Sequence, residues 1–231
     1  MLSPLSPLEA DALLLSLKVA FWAVLCSLPF GVGLAWVLSR LDFPGKSLLD
    51  GLLHLPLVLP PVVIGYLLLV ALGRNGFIGK MLYEYLGVSI AFTWKGAVAA
   101  SAVMAFPLLV RAVRLSFGAV DTRLEMAART LGAGPWRVFF TVTLPLSIPG
   151  VIAGMVLAFA RSLGEFGATI TFVSNIPGHT QTLPLALYTM TQVPHGDAAA
   201  MRLCCIAIVI ALLALVGANQ LEKRLAWHFE G

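Results

Sequence analysis

Arg161 and Glu165 stand four residues apart in an otherwise apolar run, so a helix through them carries both on one face. An ionised side chain deep in such a run is expensive unless it meets a counter-charge or a polar path. Two chemistries fit. In one, the pair is an ion bridge that holds helices together. In the other, Arg161 presents positive charge to a passing anion while Glu165 orients the guanidinium. Ser162, Thr169, Thr171, Ser174 and Asn175 add hydroxyls and an amide that can hydrogen-bond an oxyanion. Pro60 and Pro61 sit in a second apolar run, together with Pro56, and forbid a regular helix there. In a membrane, freed backbone is tolerated only where protein or water satisfies it. That run is therefore either a kinked helix lining a path or a kink packed against its neighbours.

A second constellation lies outside the apolar runs, at Asp121 to Pro145 (DTRLEMAARTLGAGPWRVFFTVTLP). Thr122 with Glu125 three residues on fits a capping box. Leu124, Ala127, Ala128 and Leu131 follow at the spacing of one apolar helix face. Gly132 can end that helix in a left-handed conformation, and Gly134-Pro135 can begin the next. This predicts a short amphipathic hairpin between membrane spans, built to dock onto something outside the bilayer. The stretch resembles the cytoplasmic loop of ABC-importer permeases, whose pattern is Glu-Ala-Ala, three residues, Gly, nine residues, then Ile-x-Leu-Pro. Ala127, Ala128, Gly132, Leu144 and Pro145 are in register. Met126 occupies the usual glutamate position, Glu125 stands one place earlier, and Val142 replaces isoleucine. The resemblance implies that these residues couple the chain to a separate ATP-binding subunit.

The elements that must position both constellations are membrane helices. The chain has 231 residues, 59% hydrophobic and 11% charged, with mean hydropathy +0.94, which places it among integral membrane proteins. At roughly 20 residues per span, the apolar runs predict five helices. These cover about Ala12 to Leu38, Leu52 to Leu72, Gly96 to Leu115 with an interruption at Pro107, Pro145 to Phe172, and Ala198 to Ala218. Thr182 to Val193 is too short for a span and suits a re-entrant or interfacial piece. Tyr83, Tyr85 and Trp94 in the connection from Arg74 to Lys95 suit a membrane interface. Lys18, near the start of the first span, either snorkels to the interface or lines an anion path. The whole chain, residues 1–231, reads as a single transmembrane domain with the hairpin of about 121–145 inside it.

Orientation follows from basic residues. With the N-terminus outside and the C-terminus cytoplasmic, nine of them fall inside: Arg40, Lys46, Arg111, Arg114, Arg123, Arg129, Arg137, Lys223 and Arg224. Only three, Arg74, Lys80 and Lys95, fall outside, as the positive-inside rule requires. The N-terminal stretch has no basic region of a cleavable signal peptide. The net charge of +4 is scattered near span ends and is not a nucleic-acid footprint. Cys26, Cys204 and Cys205 read as small hydrophobes, and the four histidines have no metal-ligand spacing. No phosphate-binding loop is complete. Gly45-Lys46-Ser47 has Arg40 where the first glycine must be, and Gly79-Lys80 has Arg74 there. The chain is thus expected to bind no cofactor itself and to draw energy from elsewhere.

Two further stretches extend the resemblance. ARSLGEFGATITFVSNIPGHTQTLPLALY (160–188) and LPLVLPPVVIGYLLL (55–69) resemble bacterial molybdate ABC-importer permeases, of the type I permease fold. Sulfate and thiosulfate permeases share a similar Arg-Ser-Leu-Gly-Glu stretch, and tungstate is close to molybdate in size and charge. The resemblance implies import of a tetrahedral oxyanion across the bacterial inner membrane by alternating access. It implies a second copy of the chain, two ATP-binding subunits that use the ATP, and a periplasmic molybdate-binding protein. The rival classes are a proton-coupled secondary anion transporter built on Arg161 and Glu165, and an intramembrane enzyme. Inverted repeats, which would favour the first, and a nucleophile or metal constellation, which the second needs, are not apparent in the sequence.

Overall fold

A computed structural model describes residues 6–230, and these form helices and no strands. The elements are α1 (Pro7–Arg40), α2 (Lys46–Val58), α3 (Pro61–Leu72), α4 (Phe77–Leu86), α5 (Trp94–Ala119), α6 (Thr122–Thr130), α7 (Pro135–Val138), a π-helical turn (Phe139–Thr143), α8 (Leu144–Leu163), α9 (Gly167–Val173), α10 (Leu183–Gln192) and α11 (Asp197–Glu230). Four helices are long and apolar enough to cross a membrane: α1, α5, the continuous run Pro135–Leu163, and Asp197–Gly217 within α11. The bent pair α2 and α3 brings the number to the expected five if it is counted as one broken span.

Their details differ from expectation in three places. Pro107 does not interrupt α5; like Pro29, Pro56 and Pro149, it lies within a continuing helix. The second span breaks as expected, by 112°, and the break falls at Leu59-Pro60, while Pro56 stays inside α2. The reason is the tandem proline. A residue before proline is pushed out of the α region, and here two successive residues are so placed. Leu59 (ψ 145°) and Pro60 (ψ 134°) are both extended, and Pro61 opens α3 at its first turn. The fourth span stops at Leu163 instead of running to Phe172, and α9 starts after a gap of three residues. The connection from Arg74 to Lys95 also contains a helix, α4. At ten residues it spans about 15 Å, too short to cross, and its Phe77, Tyr85 and Leu86 are exposed.

The core is organised on α5, which packs against α1, α8 and α9. One end is filled by Leu38, Leu109, Val113, Phe117 and Phe139, and the other by Val19, Met104, Ile64, Ala168 and Phe172. Much of the buried face of α5 is small (Gly96, Ala97, Ala100, Ser101, Ala105). Small residues let helix backbones approach, which is the main source of packing energy where lipid removes the hydrophobic drive between helices. Polar ties fix the ends. Ser6 and Glu9 form a reciprocal capping box on α1, and the Glu9 carboxylate also accepts from Arg202 of α11 at 2.6 Å. Leu183 N–H donates to Ser16 Oγ at 2.6 Å, seating α10 on α1. Arg114 of α5 donates to Asp50 of α2 at 2.7 Å. Lys18 Nζ lies 3.9 Å from the centre of the Trp94 ring, a cation–π contact.

Candidate functional site: a docking hairpin and two broken helices

The hairpin forms as a helix–turn–helix. Gly132 takes φ +83°, its N–H donates to Arg129 C=O and that of Ala133 to Ala128 C=O, so the turn closes on a left-handed glycine. Gly134 then caps α7 and Pro135 is its first residue. The cap of α6 differs from the capping-box expectation. Asp121, not Thr122, is the N-cap, and its carboxylate accepts from Arg123 N–H at 2.9 Å. Glu125 is thereby free for a different task. It is the buried residue of α6, and its Oε1 accepts from Arg40 Nη2 of α1 and from Thr143 Oγ1 of the π-helical turn, each at 2.7 Å.

Met126, next along the helix, points the other way and is exposed, as are Leu124, Leu131 and Trp136. Leu131 is 89% exposed and Trp136 71%, a degree of apolar exposure that marks an interaction surface when it recurs on one small element. Ala127 is exposed and Ala128 partly so. Leu144 and Pro145 are half-buried where the hairpin runs into α8, so they belong to its stem and not to its tip.

The second constellation comes together where two helices are broken. The starts of α3 and α9 meet: a Cβ on Gly167 would lie 2.8 Å from Pro61 Cβ, and one on Gly65 would lie 2.6 Å from Ala168 C=O. Pro60 and Pro61 are thus beside the Arg161–Phe172 stretch, although about 100 residues of chain separate them. Arg161 is in the last turn of α8, not in mid-span, where its charge also suits the negative helix end. Its Nη1 lies 2.6 Å from Glu165 Oε2, so the ion pair exists. Glu165 stands outside α8, in the break, and its Oε1 accepts from Ala168 N–H at 2.8 Å. The carboxylate therefore occupies the N-terminus of α9, and the arginine side chain, 27% exposed, is the outward partner.

The predicted hydroxyl donors are placed unequally. Thr169 Oγ1 donates to Phe166 C=O and Thr171 Oγ1 to Gly167 C=O, so both are committed within α9 in this conformation. Asn175 Nδ2 donates to Thr189 Oγ1, and its Oδ1 accepts from Gln181 Nε2, tying the loop after α9 to α10. Gln181 and Thr189 were not singled out from the sequence, because their role appears only once that loop folds back. Ser174 is exposed and takes φ +64°, ψ −169°, a conformation foreign to residues with a side chain. Ser162 is buried, and its hydroxyl has no hydrogen-bond partner. Among the described residues no cluster of metal-ligand side chains occurs.

Comparison with known proteins places these features in context. Residues 27–227 match the family model described as binding-protein-dependent transport system inner membrane component. The chain is 65% identical over 215 residues to the molybdenum transport system permease protein ModB of Escherichia coli K12, covering 93% of this chain and 94% of that protein. It is 36% identical over 219 residues to the sulfate transport system permease protein CysT of the same organism, covering 95% and 78%. The fold is similar to a chain of a bacterial alginate ABC transporter in complex with its alginate pentasaccharide-bound periplasmic protein. There the TM-score is 0.76 at 16% identity, covering 95% of this chain and 80% of that one.

Proposed function

Because the chain belongs to the binding-protein-dependent transport system inner membrane components, we propose that it is the membrane-spanning permease subunit of an ATP-driven importer of molybdate. It is a multi-pass membrane protein and not itself an enzyme. The observation that carries the class is the hairpin: a rigid glycine turn that exposes Leu124, Met126, Leu131 and Trp136 while its root is buried. The substrate rests on the much higher identity to the molybdenum permease than to the sulfate permease.

The complete machine in this reading lies in the bacterial inner membrane. Two copies of the chain enclose the path, and two ATP-binding subunits, which bind and hydrolyse the ATP, each grip one hairpin. A periplasmic molybdate-binding protein delivers the dianion. Closure of the ATP-binding subunits draws the hairpins together and opens the path outward; hydrolysis resets it. Energy is required because an inside-negative potential opposes entry by about 2.3 kcal/mol per charge per 100 mV, or roughly 4.6 for two charges. Arg161, with Glu165 setting its orientation, faces the path near Pro60 and Pro61, and Ser162, Thr169, Thr171, Ser174 and Asn175 shape its wall.

The test is ATPase activity of the complex in proteoliposomes with the cognate binding protein. Stimulation by molybdate-loaded protein and not by sulfate-loaded protein is expected. Equal stimulation by sulfate or tungstate would move the substrate within the oxyanions, and ATP-independent uptake that collapses with an uncoupler would replace the class by a secondary transporter. The path assignment has its own test. The double substitution Arg161→Met with Glu165→Gln removes both charges without stranding one, and Gln keeps an acceptor for Ala168 N–H. It is expected to leave assembly intact and to lower molybdate uptake at least tenfold. A proportional loss of assembled complex would make the pair a structural bridge.

A further inference from the structure

We infer that the Arg40–Glu125 pair is the joint through which movement of the docking hairpin reaches α1 and α5, so that it couples ATP hydrolysis to transport without touching either ATP or the anion. The inference rests on the importer reading and deepens it.

The nine residues of α6 are too few to hold a helix in water by themselves. Glu125 is the buried residue of α6, while the apolar residues of that helix point outward. Apart from the chain itself, the grip of α6 on the membrane domain therefore concentrates in one carboxylate. That carboxylate meets two elements directly and a third through Arg40. Arg40 Nη2, on the last residue of α1, donates to Glu125 Oε1 at 2.7 Å and to Phe117 C=O of α5 at 3.0 Å. Thr143 Oγ1 donates to the same Glu125 oxygen from the π-helical turn. The side chains of Arg40 and Glu125 are only 17% and 9% exposed, which screens the pair little.

A charge-assisted bond in such a place is strong and directional. A pull on α6 then moves the end of α1 and the last turn of α5 together. The other arm of the hairpin reaches α1 through rings: Trp136 stacks on Trp36 at 6.3 Å, and Phe139 meets Trp36 edge-on at 5.9 Å. Rings of this kind can slide past one another, whereas the ion pair fixes both distance and direction.

Two measurements test this on the assembled complex in proteoliposomes. The first is the ratio of molybdate taken up to ATP hydrolysed, in wild type, Glu125→Gln and the charge-free double variant Arg40→Met with Glu125→Leu. A merely structural pair lowers the amount of complex and leaves the ratio unchanged. A joint lowers the ratio, and a fall of at least tenfold is expected in the double variant, with a smaller fall for Glu125→Gln, which keeps the Thr143 bond. An unchanged ratio in the double variant overturns the inference.

The second needs no disruptive variant. Spin labels at the exposed positions Leu41 and Thr130 of one of the two copies, with Cys26, Cys204 and Cys205 replaced by serine in both, report the distance across the joint. One narrow distance, the same in nucleotide-free and ATP-trapped complex, is expected; a shift between the two states overturns the inference. Should the wild-type complex show no ATP-dependent uptake at all, the importer reading fails instead, which is a separate result.

Discussion

Gly65→Val is expected to remove most of the assembled protein from the membrane. A Cβ at this position would lie 2.6 Å from the Ala168 carbonyl oxygen and 2.9 Å from both Ala168 Cα and Thr171 Cβ. Two of those atoms are backbone and cannot rotate aside. Nor can α3 retreat easily, because its first turn is pinned where Pro61 packs on Gly167. Forcing extra methylenes into packed structure costs about 1–3 kcal/mol, and valine adds a branched side chain directly against a main chain. Loss of about 3 kcal/mol shifts a folding equilibrium by more than a hundredfold. Gly65→Ala, with one carbon, is expected to fall between valine and wild type. Recovery of complex by affinity purification and its thermal midpoint in detergent measure both. Wild-type yield and uptake from Gly65→Val would mean that α3 and α9 do not approach as described.

The second large effect is expected at Gly132 and is of a different kind. Nothing lies within 4 Å of a Cβ built there, so space is not the issue. The backbone is: φ is +83°, which costs a residue with a side chain about 1–2 kcal/mol, and a β-branched one suffers most. Valine is expected to refold the turn locally, since the spans do not depend on it. The apolar tip then no longer presents Leu131 and Met126 in one geometry. Uptake per ATP hydrolysed should fall at least tenfold while the complex remains in the membrane. Gly132→Asn separates conformation from contact, because asparagine tolerates the left-handed region; it is expected to retain most coupling. Equal uptake from valine and asparagine variants would sink the argument.

The hairpin was largely legible from the sequence because its signals are local. A glycine that must turn left, and a glycine–proline that opens a helix, act within two or three residues. The cap of α6 was misread for a related reason. Thr122 and Glu125 satisfy a local template, but Arg40, 85 residues away, claims the glutamate and leaves Asp121 to cap. Distance in sequence also hid the end of α8. Leu163 to Phe172 carries one charge among mostly apolar and small residues, and the break depends on Glu165 finding Ala168 N–H and Arg161 at once. The α2–α3 break shows the opposite balance. Three prolines flagged a bend, and the pair that excludes α geometry from two successive residues decided where it falls. The meeting of the two breaks could not be read at all, since it needs Gly65 and Gly167 to remove side chains from a contact between distant segments.

The π-helical turn at Phe139–Thr143 has a consequence for how such a hairpin can change over evolutionary time. An α-helix advances about 100° per residue, and a π turn accommodates one residue more than the α-helix would. Deleting a single residue there would close the turn to ordinary α geometry and leave both flanking helices intact, in nearly the same phase about the span axis. The extra residue is absorbed within one turn, so the azimuth of the apolar tip is insensitive to whether it is present. Chain length at the root of the rod can thus drift by a residue while the tip stays aimed at the same partner surface.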